Sequence, residues 1–196
     1  MNVGAKSKKS SIMCDNKGFS LVELIVVIAI MAVLIGVMAY SFQMVTGQQA
    51  RECANNITLA LDKAQTYAMS KSGDEDAYME LSKDGSGVVA TYYVPDKAVF
   101  GSGETHTWSV LEKETIGKEA VSVVCTFADG STVEITTADF VRIYYDRVGG
   151  AFKEAVVVNA GGETKAYCES ITITRGREYK IELITATGRH TLERIS

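Results

Sequence analysis

The chain is predicted to adopt an α+β fold, a long N-terminal helix packed on an antiparallel β-rich head. Three observations lead there. An apolar run over residues 21–40 carries Glu23 as its only charge. A stripe of apolar residues at three- and four-residue steps continues to about residue 71, as expected of a helix face. Beyond Gly73 the apolar period falls to two, the spacing of half-buried strands.

The apolar segment comes first. Residues 19–40 make 22 positions, about 33 Å of helix, enough for a bilayer core of about 30 Å. The apolar region of a secretory signal peptide is shorter, about 7–15 residues. A lipoprotein reading of Cys14 fails because no apolar segment precedes it. A plain signal anchor would need the same run and the same basic flank. Glu23 argues against it, since a carboxylate in such a span costs roughly 2–4 kcal/mol, less near the interface. Lys6, Lys8, Lys9 and Lys17 precede the span and residues 41–50 after it carry no charge. The positive-inside rule therefore puts the start of the chain in the cytoplasm and the body outside.

The helix is expected to continue as an amphipathic half over residues 41–72. Ala50, Cys53, Ala54, Ile57, Leu61, Ala64, Tyr67 and Ala68 form its stripe, with Arg51, Glu52, Asn55, Asp62 and Lys63 between them. No proline interrupts residues 19–71, and Gly36 and Gly47 are the flexible points.

The head is expected over residues 73–196. Alternation predicts strands at 78–81, 87–94, 105–111, 121–127, 132–136, 140–145, 155–159, 170–174, 179–183 and 191–195. Asp129-Gly130 supplies a hairpin turn, while Gly149-Gly150 and Gly161-Gly162 read as breaks. Trp108, Tyr92 and Tyr93 read as core or cross-strand residues. Glu112, Glu114 and Glu119 flank lysines and read as a solvated charge run.

Little in the head suggests catalysis. His106 and His190 are the only histidines; the first reads as a surface strand residue and the second as part of a solvated turn. Neither HExxH nor GxSxG nor a phosphate-cradling glycine loop occurs. A signal-anchored extracytoplasmic enzyme is therefore the weaker alternative, and no catalytic residue, cofactor or metal is assigned. Of the four cysteines, Cys14, Cys53, Cys125 and Cys168, none forms a CxxC pair. Cys125 and Cys168 lie in strand-like segments of the outer domain and are either a disulfide or two buried thiols. Arg175, Arg177 and Arg189 crowd the last strands and are the candidates for contact with DNA phosphate. Glu169, Glu178, Glu182 and Glu193 dilute them, as in a mixed-charge surface.

Residues 17–45 combine Lys17-Gly18-Phe19-Ser20-Leu21-Val22-Glu23-Leu24 with a membrane-length helix. The order resembles the processing and assembly signal of type IV pilins and of the pseudopilins of type II secretion and DNA uptake. The resemblance implies a prepilin peptidase that removes the leader, residues 1–18, between Gly18 and Phe19 and then N-methylates Phe19. Four lysines against Asp15 leave that leader at net +3, so a chain of 196 residues at net −4 would become one of 178 at net −7. It also implies assembly partners: other pilin or pseudopilin subunits, an inner-membrane platform and the lipid bilayer. In the assembled filament Glu23 would meet the new Phe19 amine of a neighbouring subunit. At about 4 Å and an effective dielectric near 20, that attraction is about 4 kcal/mol before desolvation. A looser resemblance covers residues 140–190. Tyr144-Tyr145-Asp146 with Gly150, Ile171-Thr172-Ile173 and Thr187-Gly188-Arg189 are similar to the C-terminal half of H-type minor pseudopilins and FimT-like minor pilins. It implies a minor subunit, with DNA binding of an uptake system as the alternative role.

Overall fold

A computed structural model of the chain describes residues 20–71, 76–95 and 108–195. Two compact units are present, Met1–Tyr40 and Ser41–Ser196. Helix α1 (Leu21–Lys71) begins in the first and ends in the second. In the first unit its apolar side chains, such as Leu21, Ile28 and Val33, are exposed.

Eleven strands follow among the described residues: β1 (Tyr78–Asp84), β2 (Gly87–Pro95), β3 (Trp108–Gly117), β4 (Ser122–Phe127), β5 (Thr132–Glu134), β6 (Phe140–Tyr144), β7 (Ala155–Asn159), β8 (Gly162–Ala166), β9 (Cys168–Thr174), β10 (Glu178–Ile184) and β11 (Arg189–Arg194). They form a six-stranded sheet in the order β3-β2-β1-β6-β7-β8 and a five-stranded sheet in the order β11-β10-β9-β4-β5. The pairings are antiparallel. The architecture is the expected α+β class, with the head built from two sheets.

One core joins the three layers. Its helical side is Ala50, Cys53, Ala54, Ile57, Ala60, Leu61, Ala64 and Ala68, each 5% exposed or less. Met79, Leu81, Ala90, Tyr92 and Ile143 come from the six-stranded sheet, and Val123, Phe127, Ile171, Ile173 and Ile181 from the other. Alanine at five of the eight helical positions lets backbone approach backbone, so polar ties reach the helix directly. Tyr145 donates its hydroxyl to the Leu61 carbonyl at 3.1 Å. Asn56 donates to the Ile116 carbonyl at 3.0 Å, and Gln65 to the Gly150 carbonyl at 2.8 Å.

Two segments differ from the sequence reading. Glu112 and Glu114 lie within β3 and face α1, where a solvated charge run was expected. Glu112 accepts from Lys63 at 2.7 Å and from Tyr67 at 3.1 Å. Glu114 accepts from the Tyr92 hydroxyl and lies 3.5 Å from Lys63. A run of alternating signs therefore belongs to a strand because the helix supplies its counter-charges. The expected break at Gly161-Gly162 is the turn between β7 and β8, with Gly162 at φ 113°, and a strand not expected from the sequence follows it. Four of its five residues are exposed and only Ala166 packs on the core, so no apolar alternation betrays the strand. Residues 105–107 of the expected third strand lie outside the described residues.

The tightest junction unites pieces far apart in sequence. A Cβ on Gly188 would stand 1.8 Å from the Gly150 carbonyl oxygen and 2.7 Å from Gln65 Nε2, and Gly188 itself holds φ at 68°. Backbone strain and overpacking each cost about 1–3 kcal/mol. Gly188→Ala should therefore lower unfolding stability by at least ~2 kcal/mol, measured by denaturant titration of the purified chain. Wild-type stability in that variant would contradict the junction.

A second expectation concerns alkaline pH. Burial pushes the Tyr78 phenol up to about 12, against the opposing pull of Arg142. Burial raises Tyr92 and Tyr145 further. In the unfolded chain these phenols ionise near the ordinary value of about 10. The unfolded state then binds fewer protons, so stability is complete below about pH 10 and falls as pH rises toward about 12. Ultraviolet phenolate absorbance should show part of the tyrosine titration delayed in the folded chain and normal in denaturant. Coincident curves would contradict the buried phenols.

Candidate functional site

The candidate assembly signal is built on the first turn of α1. Ser20 precedes the helix, and its hydroxyl oxygen accepts the Glu23 backbone N–H at 3.2 Å. Its carbonyl accepts the Leu24 N–H at 3.2 Å. Ser20 is thus the N-cap and Glu23 the third helical residue, the spacing of a capping box. An acid in the first turn also gains about 0.3–1 kcal/mol from the helix dipole. The serine and its spacing to Glu23 are legible in the sequence as a helix start. Part of the insertion penalty is offset locally, so a simple anchor also has a use for this carboxylate.

Beyond that turn, Leu21–Ala39 is a 19-residue stretch long and apolar enough to cross a membrane. It measures about 28 Å as a helix, and none of its residues is buried. Its exposed side chains include Leu21 at 77% and Ile35 at 64%. Residues this apolar are stable when exposed only against lipid or the helix of another subunit. Gly18 and Phe19, the expected cleavage and methylation positions, lie outside the described residues, as do Cys14 and His106.

The remaining candidate residues do not converge. Arg175 and Arg177 flank the turn between β9 and β10, where a Cβ on Gly47 would stand 2.7 Å from Arg177 Cδ. The Arg177 stem therefore lies on the helix. Arg189 pairs with Ile184 at the far end of β10. Seven residues of strand separate the two ends, roughly 20 Å at the usual rise. Three arginines grouped by sequence are thus split between opposite ends of one hairpin.

Cys125 and Cys168 are buried free thiols on neighbouring strands. A hydrogen bond with Cys168, together with burial, holds the Cys125 thiol well above the ordinary range. Cys53 is buried against the helix–sheet junction, and its thiol is pushed up to about 12.

His190 corrects the sequence reading. Its side chain is only 10% exposed, and Nε2 lies 3.7 Å from Asp62 of α1. Nδ1 is buried without a hydrogen-bond partner. The solvated turn expected there is packed on the helix, because β11 closes the second sheet over it. Among the described residues no group of three or more His, Cys, Asp or Glu side chains stands close enough to share a metal ion.

Comparison with known proteins adds one match. The family description "Prokaryotic N-terminal methylation motif" fits residues 13–39. No curated protein and no solved structure matches the chain. The matched segment contains Lys17, Gly18-Phe19, the Ser20 cap, Glu23 and the exposed apolar helix. Residues 13–39 therefore carry the prepilin-type signal of type IV pilins and pseudopilins.

Proposed function

We propose that the chain is a structural subunit of a type IV pilus or a type II secretion-like pseudopilus, and a minor one. In this reading prepilin peptidase cuts between Gly18 and Phe19 and methylates the Phe19 amine. The apolar helix holds the subunit in the cytoplasmic membrane, crossing it once, with the head outside, until the assembly platform draws it into the filament. What carries the reading is the methylation motif on a helix whose described apolar side chains stand exposed. In a filament those side chains would pack against the same helices of neighbouring subunits. There Glu23 would face the Phe19 amine of its neighbour, and a wrong stagger would leave both charges buried and alone.

The minor-subunit assignment draws support from the head. The residues that resemble minor pseudopilins meet in space: the Gly150 carbonyl and Gly188 touch beneath Gln65, and Tyr145 ties the same region to Leu61. The division of labour along the chain is then leader 1–18, membrane half 19–40, amphipathic half 41–72 and head 73–196.

Two substitutions separate processing from assembly. Gly18→Leu should leave the precursor at full length on a gel in cells with a working prepilin peptidase. Cleavage at the wild-type rate would contradict the assigned site. Glu23→Ala should be inserted and cleaved yet be depleted at least ~10-fold from sheared filaments, as expected for loss of a contact worth more than about 1.4 kcal/mol. Normal incorporation would remove the pairing argument.

A further inference from the structure

The outward face of the six-stranded sheet carries a cluster of aromatic and paired charged side chains. Tyr78, Glu80, Tyr93, Arg142 and Tyr144 project on the side opposite the core, because their strand neighbours Met79, Leu81 and Ile143 are buried in it. Tyr78 is the hub. It stacks on Tyr93 at 4.8 Å between ring centroids, meets Tyr144 at 5.1 Å, and takes Trp108 edge-on at 5.9 Å. Arg142 lies 5.7 Å over the Tyr78 ring and donates to Glu80 at 3.3 Å and to Glu163 at 2.9 Å. Beside this platform Lys153 holds Asp76 at 2.6 Å.

Cross-strand aromatic pairs often serve only to stabilise a sheet. Here they also floor a cleft of about 800 Å³, within the range of about 300–1,000 Å³ of small-molecule sites. Trp108 and Tyr167 line it with 37% and 42% of their surface open. Its charged lining is balanced: Asp76, Glu154 and Glu163 against Arg142, Lys153 and Lys165. A balanced lining produces no net field to attract a polyanion or a polycation. The ion pairs hold charged donors and acceptors at fixed positions, where each forms stronger hydrogen bonds than a neutral group would. Covering those pairs with an apolar protein surface would cost desolvation without replacing the lost water contacts.

We infer that this cleft binds a neutral oligosaccharide, with sugar rings resting on Trp108, Tyr144 and Tyr167 and hydroxyls bonded to the Arg142–Glu163 and Lys153–Asp76 pairs. A pyranose has the matching chemistry: one face of C–H groups for the negative face of an aromatic ring, and a rim of hydroxyls that both donate and accept. The inference is independent of the assembly role, since no residue of α1 lines the cleft among the described residues.

Trp108 is the only tryptophan of the chain, so its fluorescence reports this site alone. The test titrates the full-length protein, in a zwitterionic detergent without a sugar headgroup, with maltotriose, cellotriose and triacetylchitotriose. A heparin hexasaccharide and a short oligothymidylate serve as charged comparators. At least one neutral trisaccharide should bind saturably by calorimetry and shift the Trp108 emission to the blue. Tyr167→Ala, at an exposed position, should weaken that binding at least ~5-fold and Trp108→Ala at least ~10-fold, with far-ultraviolet circular dichroism unchanged. The inference is overturned if no neutral probe saturates by ~20 mM, well above ordinary specific affinities. It is equally overturned if a charged comparator binds more tightly, or if neither substitution weakens binding. A Trp108 shift with protein concentration alone would assign the cleft to a second copy of the chain instead.

Discussion

Ala50, Ala54, Ala60, Ala64 and Ala68 turn one side of α1 into a surface that sheets can approach without intervening side-chain bulk. Larger residues there would move the strands outward and break the ties that depend on short reach. Tyr145 reaches a helix carbonyl that already serves the intrahelical ladder, using its second lone pair. Gln65 reaches the Gly150 carbonyl, and that carbonyl in turn requires glycine at 188. Close approach thus propagates from a small-residue stripe to a turn more than a hundred residues later. At one edge of this seam charges are paired: Lys63 serves Glu112 and Glu114, while Tyr67 and Tyr92 donate to the same two carboxylates.

The two units of the chain answer to different solvents. In Ser41–Ser196 apolar surface is removed from water by two sheets, and the helix is amphipathic. In Met1–Tyr40 the described helix is apolar on every side apart from Glu23, and its side chains stand exposed. The hydrophobic effect demands a cover supplied from outside, and lipid and like helices are both able to provide it. A single carboxylate fits this setting because it stands in the first turn, where the helix dipole favours negative charge. The same position leaves it accessible to a cation on another subunit. The cap belongs to the Ser20 hydroxyl and the Glu23 backbone, so the Glu23 carboxylate stays available for pairing.

Charge is arranged by contrast on the head. Arg142 is surrounded by Glu80, Glu163 and two aromatic rings, so its charge is neutralised where it stands. Arg175 and Arg177 end one side of the last hairpin and Arg189 the other. The head consequently offers a balanced, aromatic-floored cleft and no single basic face built from those three arginines. A surface of this kind selects by shape and hydrogen bonding more than by long-range attraction.

The class of the fold, the membrane-length helix and its stripe were legible from residue spacing, because each is a local pattern that burial imposes on a regular element. The hairpin at Asp129-Gly130 was legible for the same reason, the turn needing a positive φ that Gly130 supplies at 81°. The prepilin-type signal was equally readable, being a contiguous run that a peptidase and a membrane meet before any head has to fold. Tertiary structure alone decided what depends on partners distant in sequence. It drew Glu112 and Glu114 into a strand facing Lys63, and buried His190 on α1. It added an edge strand after the turn at Gly161, and set Arg175 and Arg177 at one end of β10 and Arg189 at the other. Sheet order brought Tyr78, Trp108 and Tyr144 into one platform. Periodicity reports which face of an element is covered; it carries no information about which element covers it.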